Sequence, residues 1–518
     1  MAVMHTVIET DAGTIAGRRG RRSRRGTIAW LGVPFAAPPV GELRWRAPRP
    51  VEPWSGVKSC QKYGDAPIQE KLFTLRTNGT FHPQSEDCLT LNVYAPEGVS
   101  DSPRPVMVFN YGGAYIMGGS ATPIYDGSFL ARARDVIVVT VNYRFGPFGF
   151  LDLTPYSTPD RQFDSNLGLR DMVAALEWVQ RNIAAFGGDR DRVTVFGESA
   201  GAAAVLTLLG TPAAEGLFSG AIAQSPAADL IVHQDNARIF ADEFLRLLTD
   251  PDRRSGPERT EPPLAPSYVA ELVDNATARE LHAAGNRLLG FTKHSGLSDP
   301  LPFAPTVDGD YLPVGPVTAA AAGKTHPVPL LLGNNASEGE LFAKFWPILP
   351  EPSRVLVGLH DPEVRTELET LYPGRRDDVR LAADAAFWIP TVVFAEYHAK
   401  QAPTFLYRYD YATRLLKAAG IDATHATELL AVFGMYRHPV GAGLAAVGSW
   451  KSSKAITATV QSMWTWFART GVPSEGWPEY DERERQVMIL DVPTRVEKDP
   501  RSEVRSMWER VHKELRRW

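Results

Sequence analysis

Residues 193–205 read V-T-V-F-G-E-S-A-G-A-A-A-V. Four strand formers, a G-x-S-x-G pentapeptide and a run of small helix formers follow in turn, which is the order a strand, a sharp turn and a helix require. A serine hydroxyl standing on such a turn is exposed to a carbonyl carbon and suits acyl-transfer chemistry. The turn forces its central residue, Ser199, to positive φ, so the positions two away, Gly197 and Gly201, must be nearly free of side chain. The Ala200 N–H, opening the helix, then points to where negative charge develops on a substrate carbonyl oxygen. A second source of donors is Y-G-G-A-Y, after the apolar run P-V-M-V-F-N, where Gly112 and Gly113 present bare backbone N–H groups. Taken alone, each segment has a plainer reading, a chance pentapeptide or a tight glycine turn.

These residues need a sheet to hold them. Apolar runs recur at 105–110, 136–143, 193–196, 220–225, 328–333 and 404–409. They are short and largely without alternation, as strands covered on both faces of a mostly parallel sheet would be. Between them lies L-G-L-R-D-M-V-A-A-L-E-W-V-Q-R-N-I (167–183), with Leu169, Val173, Leu176 and Ile183 on one side of a helix. The fold class is therefore α/β. Regions near 72–85 and 250–267 read as insertions, and from about 356 onward helical patterns dominate, as in a cap-like region of a single domain spanning 1–518.

Composition narrows the function. The 518 residues carry 55 Lys+Arg against 60 Asp+Glu, a net charge of −5, which argues against a nucleic-acid partner. An apolar fraction of 44% with 12 Trp and 23 Phe argues for a large buried core. Two cysteines cannot build a disulfide framework and form no C-x-x-C, so a reducing, cytoplasmic setting is expected. No run approaches the roughly 18 apolar residues of a membrane span. The arginine cluster Arg18–Arg25, followed by T-I-A-W-L-G-V-P-F-A-A-P-P, imitates a signal peptide; the prolines, and the alternating V-I-E-T-D-A-G-T-I-A-G before it, read instead as folded chain with a solvated hairpin tip. No metal-ligand cluster is visible, and no metal or organic cofactor is expected.

At this point the chain resembles the type-B carboxylesterase family, the cholinesterase-like branch of the α/β-hydrolases, in a bacterial-type form. The resemblance runs nearly end to end: L-G-V-P-F-A-A-P-P-V-G-E-L-R-W-R-A-P, S-E-D-C-L-T-L-N-V-Y-A-P, V-N-Y-R-F-G-P-F-G-F-L, N-I-A-A-F-G-G-D, F-A-P-T-V-D-G-D-Y-L-P and W-F-A-R-T-G-V-P. It implies an α/β-hydrolase fold. It also implies an acid in N-A-S-E-G, Glu338, and a base in H-A-T-E-L-L-A-V-F-G, His425, in the chain order Ser199, Glu338, His425. His425 would take the serine proton and return it to the departing alkoxide, while Glu338 holds the imidazole and Gly112, Gly113 and Ala200 bind the oxyanion. The implied function is hydrolysis of small neutral carboxylic esters with broad specificity. The alternatives are the same machinery acting on amides, carbamates or lipid esters, or a non-catalytic interaction scaffold. Monomer and dimer both remain open.

The chain departs from the family in three places. Tyr111 stands where a histidine usually precedes the two oxyanion glycines, and its phenol does not titrate near neutrality. Cys88 sits where one disulfide partner is expected, but the matching position lies near Pro67 and Cys60 comes several residues early, so both cysteines are expected unpaired. No Trp lies between Pro67 and Glu86, so the aromatic platform on which cholinesterases bind a cation is missing. Two readings stand for Glu198, acidic floor of the site or packing residue. The same choice between pocket and core holds for Tyr115, Phe387 and Trp388.

Overall fold

The alternating N-terminal segment forms a hairpin of strands Val7–Thr10 and Gly13–Ala16, paired antiparallel with Ile15 buried. The computed structural model describes residues 4–21, 24–71, 76–77, 80–250, 263–292, 297, 299, 301–345, 349 and 359–515. The chain forms two compact units: Met1–Val195 with Thr211–Phe218 and Leu230–Gly315, and Phe196–Gly210 with Ser219–Asp229 and Pro316–Trp518.

In the first unit, strands Arg104–Asn110 and Ile137–Val141 run parallel, and both are buried along their whole length. Strand Thr90–Pro96 pairs antiparallel with Ile137–Val141, and Thr27–Pro34 antiparallel with Thr90–Pro96. Helix Leu167–Asn182 buries Leu169, Val173, Leu176 and Val179, the stripe its periodicity prescribes. Trp30 packs edge-on to Phe186 at 4.9 Å. After Ile137–Val141, the buried Arg144 guanidinium forks onto Asp171 of that helix at 2.7 and 2.8 Å, and the Arg144 N–H donates to the same carboxylate at 2.9 Å. Removing one partner of such a pair costs about 3–5 kcal/mol, because the other is left charged and buried.

The second unit continues the α/β pattern. Strands Gly220–Gln224, Leu330–Asn335, Thr404–Tyr409 and Gln486–Leu490 pair in parallel, each with the next, and Arg495–Lys498 closes antiparallel on the last. Strand Gly188–Glu198 reaches this unit with its final residues. Helix Ala200–Leu209 is buried throughout, and Trp450–Thr470 buries Ile456, Val460, Trp464 and Phe467. Helix Ser502–Leu515 seats Trp508 in a cluster with Leu368 and Tyr372.

The inner strands of each unit pair in parallel, as expected of a mostly parallel sheet, while the outer strands pair antiparallel. The region beyond 356 is rich in helices and holds the strand read at 404–409, and it adds strands at 486–490 and 495–498 that were not expected. The insertion expected near 72–85 falls partly on residues 72–75 and 78–79, and that near 250–267 on 251–262, all outside the described residues; Pro266–Asn275 is a helix.

Candidate active site

Strand Gly188–Glu198 ends in the predicted turn. Ser199 has φ 58° and ψ −127°, and helix Ala200–Leu209 starts directly after it. Such a backbone costs an L-residue about 1–3 kcal/mol and persists only when its surroundings enforce it. Here the Ser199 N–H donates to the Gln224 carbonyl at 2.9 Å, and the Ser199 carbonyl accepts from Ala203 N–H at 2.8 Å. A Cβ on Gly197 would lie 2.4 Å from the Gly201 oxygen, so the turn closes only around glycine. Ala200, the first helical residue, has no intrahelical acceptor for its N–H.

His425 sits on the loop after the short helix Arg414–Ala418, which follows strand Thr404–Tyr409, and that loop is tied to the segment carrying Glu338. Ser337 N–H donates to the Ala423 carbonyl at 2.9 Å, and Leu341 N–H to Thr424 Oγ1 at 2.8 Å. One Glu338 oxygen accepts the Asn335 N–H and the other meets His425 Nδ1, both at 2.6 Å. An ionised carboxylate only accepts, so it fixes the hydrogen on Nδ1 and leaves Nε2 as the basic nitrogen. The imidazole also rests against Phe387 and Phe342, at 4.7 and 4.8 Å between ring centres. Nε2 lies 3.1 Å from Glu198 Oε1 without hydrogen-bond geometry, and neither atom has a hydrogen-bond partner among the described residues.

A third carboxylate, Glu428, completes the cluster. It is 1% exposed and accepts from Asn335 Nδ2 at 2.5 Å and Gln224 Nε2 at 3.2 Å. Gln224 is in turn fixed by Trp464 Nε1, which donates to its side-chain oxygen at 3.1 Å. Burial pushes the Glu198 and Glu428 carboxyls well above the usual range, and the neighbouring carboxylates add to the effect. For His425 burial works downward but is outweighed by Glu198 first and Glu338 next, so the imidazole is held above its ordinary value. Glu198 and His425 thus act on each other, the carboxylate raising the imidazole and the imidazolium lowering the carboxyl.

The remaining predicted residues divide by unit. Those in the first unit follow strand Arg104–Asn110. Tyr111 is fully buried and stacks on Tyr143 at 4.6 Å. Gly113, Ala114 and Tyr115 have φ of 125°, 52° and 56°, and a Cβ on Gly113 would lie 2.2 Å from the Met117 oxygen. The N–H groups of Gly112 and Gly113 enter no backbone hydrogen bond among the described residues. Gln69 braces this loop by two bonds to Gly118, at 2.6 and 2.8 Å. Tyr115 is fully buried against Phe150 at 4.6 Å. In the second unit, Phe387 and Trp388 are neighbours in a π-helical turn, Asp384–Trp388, and face different surroundings. Phe387 touches the imidazole, whereas Trp388 carries the Arg501 guanidinium 3.9 Å above its ring.

Sequence reasoning missed Glu428, Asn335, Gln224 and Phe342 as parts of the cluster. Only Glu428 left a signal, its place three residues after His425 in H-A-T-E-L, where a turn brings both to one side. Among the described residues no group of three or more His, Cys, Asp or Glu is arranged to hold a metal ion, and no helix is long and apolar enough to cross a membrane.

The α/β-hydrolase class that the strand, serine turn and acid–histidine pair define is borne out by comparison with solved structures. A para-nitrobenzyl (PNB) esterase structure matches 97% of this chain and 99% of its own, at a TM-score of 0.84 and 35% identity. The carboxylesterase family model matches residues 4–356 and 369–508, and the chain belongs to that family. Para-nitrobenzyl esterase of Bacillus subtilis is 36% identical over 510 residues, covering 97% of this chain and 98% of that protein. Carboxylesterase 1D of Rattus norvegicus is 33% identical over 530 residues, covering 93% and 89%. The protein is a serine hydrolase acting on carboxylic esters.

Proposed function

We infer that Ser199 is the nucleophile, His425 its general base and acid, and Glu338 the carboxylate that orients the imidazole. Ser199 attacks the ester carbonyl as Nε2 takes its proton, the alkoxide leaves with that proton, and water activated by the same nitrogen hydrolyses the acyl-enzyme. The Ala200 N–H is an oxyanion donor, a part the family resemblance also gives to Gly112 and Gly113. Glu198 and Phe387 border the imidazole. The carrying observation is the His425–Glu338 bond of 2.6 Å, with Nε2 left unspent. The substrates in this reading are small neutral esters. The setting is the cytoplasm, a reading supported by two buried, unpaired cysteines.

The test is a rate panel of p-nitrophenyl esters of increasing acyl length beside anilides and a triglyceride emulsion, with butyrylcholine set against its neutral isostere 3,3-dimethylbutyl butyrate. Short to medium neutral esters should lead the panel. Without the aromatic platform the charged ester forgoes about 0.5–2 kcal/mol, so it should not outrun its isostere. Anilides, the emulsion or the charged ester leading would contradict the reading.

A further inference from the structure

The proposed mechanism makes no use of the arginine-rich tip of the first unit. Strand Arg18–Arg19 pairs antiparallel with Ile28 and Ala29 of strand Thr27–Pro34. Beside this ribbon lies a cavity of about 440 Å³, whose walls include Arg18, Arg21, Arg24, Tyr63, Tyr94 and Ser128. Its size falls in the range of small-molecule sites, roughly 300–1,000 Å³.

Several of the polar groups on these walls are unspent donors. Among the described residues Asp126 is the one acidic residue of the lining, and it is occupied: one oxygen accepts the Ser128 N–H at 3.0 Å and the other pairs with Arg24. Arg19 is taken up by Glu97 and the Met4 carbonyl. Arg18 and Arg21 make no side-chain ion pair or hydrogen bond among the described residues. The two phenols share a single hydrogen bond, Tyr63 to Tyr94 at 3.0 Å, so one of their two O–H hydrogens is left over. Ser128 Oγ is buried, the residue being 3% exposed, and has no hydrogen-bond partner among the described residues. A buried hydroxyl without a partner is destabilising, and a ligand oxygen would relieve it.

We propose that this cavity binds the phosphate group of a small molecule, held by Arg18 and Arg21 and hydrogen-bonded by Ser128 and the free phenol. Two unpaired guanidiniums match the charge of about −1.5 to −2 that a phosphate monoester carries at neutral pH. Their planar forks can each donate two parallel N–H bonds to its oxygens. Recessed donors such as Ser128 and Tyr94 favour one compact anionic group over the extended face of a nucleic acid.

Calorimetry of the full-length protein with inorganic phosphate and with phenyl phosphate tests this, and cosedimentation with phosphatidylcholine vesicles, with and without phosphatidic acid, tests a lipid source for the same group. The expected result is one saturable, salt-sensitive phosphate site per chain. It should weaken roughly tenfold or more in the Arg18→Gln/Arg21→Gln double variant and severalfold in Ser128→Ala. Binding only to phosphatidic acid vesicles, lost in the double variant, would support the same site with a lipid headgroup as ligand. No binding in either arm, or binding unchanged in the double variant, would overturn the proposal. Unchanged hydrolysis of p-nitrophenyl acetate verifies that each variant is folded.

Discussion

Replacing Glu338 by glutamine removes a charge and almost nothing else. In the native site both carboxylate oxygens face donors at 2.6 Å, the Asn335 N–H and His425 Nδ1–H. A glutamine has one oxygen and one NH2, so it must turn the NH2 toward one of the two. Toward Asn335, two donors face each other and the imidazole loses its charged acceptor. Toward His425, the NH2 favours the tautomer with its hydrogen on Nε2, which cannot take the serine proton. Either way a hydrogen bond to a charged group is lost, about 1.5–3 kcal/mol, or roughly 10–150-fold in kcat. The wrong tautomer adds to that, up to about 10⁴-fold in all. Glu338 also holds the imidazole pKa up, so its loss lowers that pKa and moves the acid limb of kcat/KM to lower pH. The assay is p-nitrophenyl acetate hydrolysis between pH 5 and 9, with near-ultraviolet circular dichroism to verify the fold. A kcat within threefold of the native enzyme, or an acid limb displaced upward, would refute the reasoning.

Glu198→Gln removes the charge that raises the imidazole most, so its acid limb should also move to lower pH while the His425–Glu338 bond stays; an unmoved limb would show that Glu198 does not act on the titration of His425. Both cysteines are buried and unpaired, and burial pushes the Cys60 thiol up to about 11 and Cys88 higher still. Ellman's reagent should therefore find no fast-reacting thiol in the native protein and two in unreduced protein unfolded in guanidinium, whereas none on unfolding would mean a disulfide.

How much the sequence disclosed depended on how local each signal was. The serine turn was legible because its constraints are contiguous: strand formers, two glycines and small helix formers within thirteen residues. The run T-F-L-Y-R-Y and the helix beginning at Leu167 were legible for the same reason, and both formed as read. Gln486–Leu490 escaped because a mostly apolar run of five residues is too short to stand out. Glu338 and His425 lie 87 residues apart, and no periodicity joins them; only the family resemblance pointed to both. The support beneath them was not legible at all. Asn335, Gln224 and Glu428 meet through strand pairing and a loop, and Phe342 reaches the imidazole from a different helix than Phe387's turn. Such contacts are made by tertiary packing alone. The free arginines of the N-terminal ribbon were visible in the sequence, but the cavity beside them was not.

The account rests on Ser199 being the residue that carries the acyl group. Reaction with diisopropyl fluorophosphate, followed by peptide mass spectrometry, tests this directly. The predicted result is one phosphoryl adduct per chain on Ser199, with loss of esterase activity in step, and no adduct in Ser199→Ala, whose kcat should fall at least ~10⁴-fold. An inactivating adduct on another residue, or Ser199→Ala retaining near-native kcat, would contradict it.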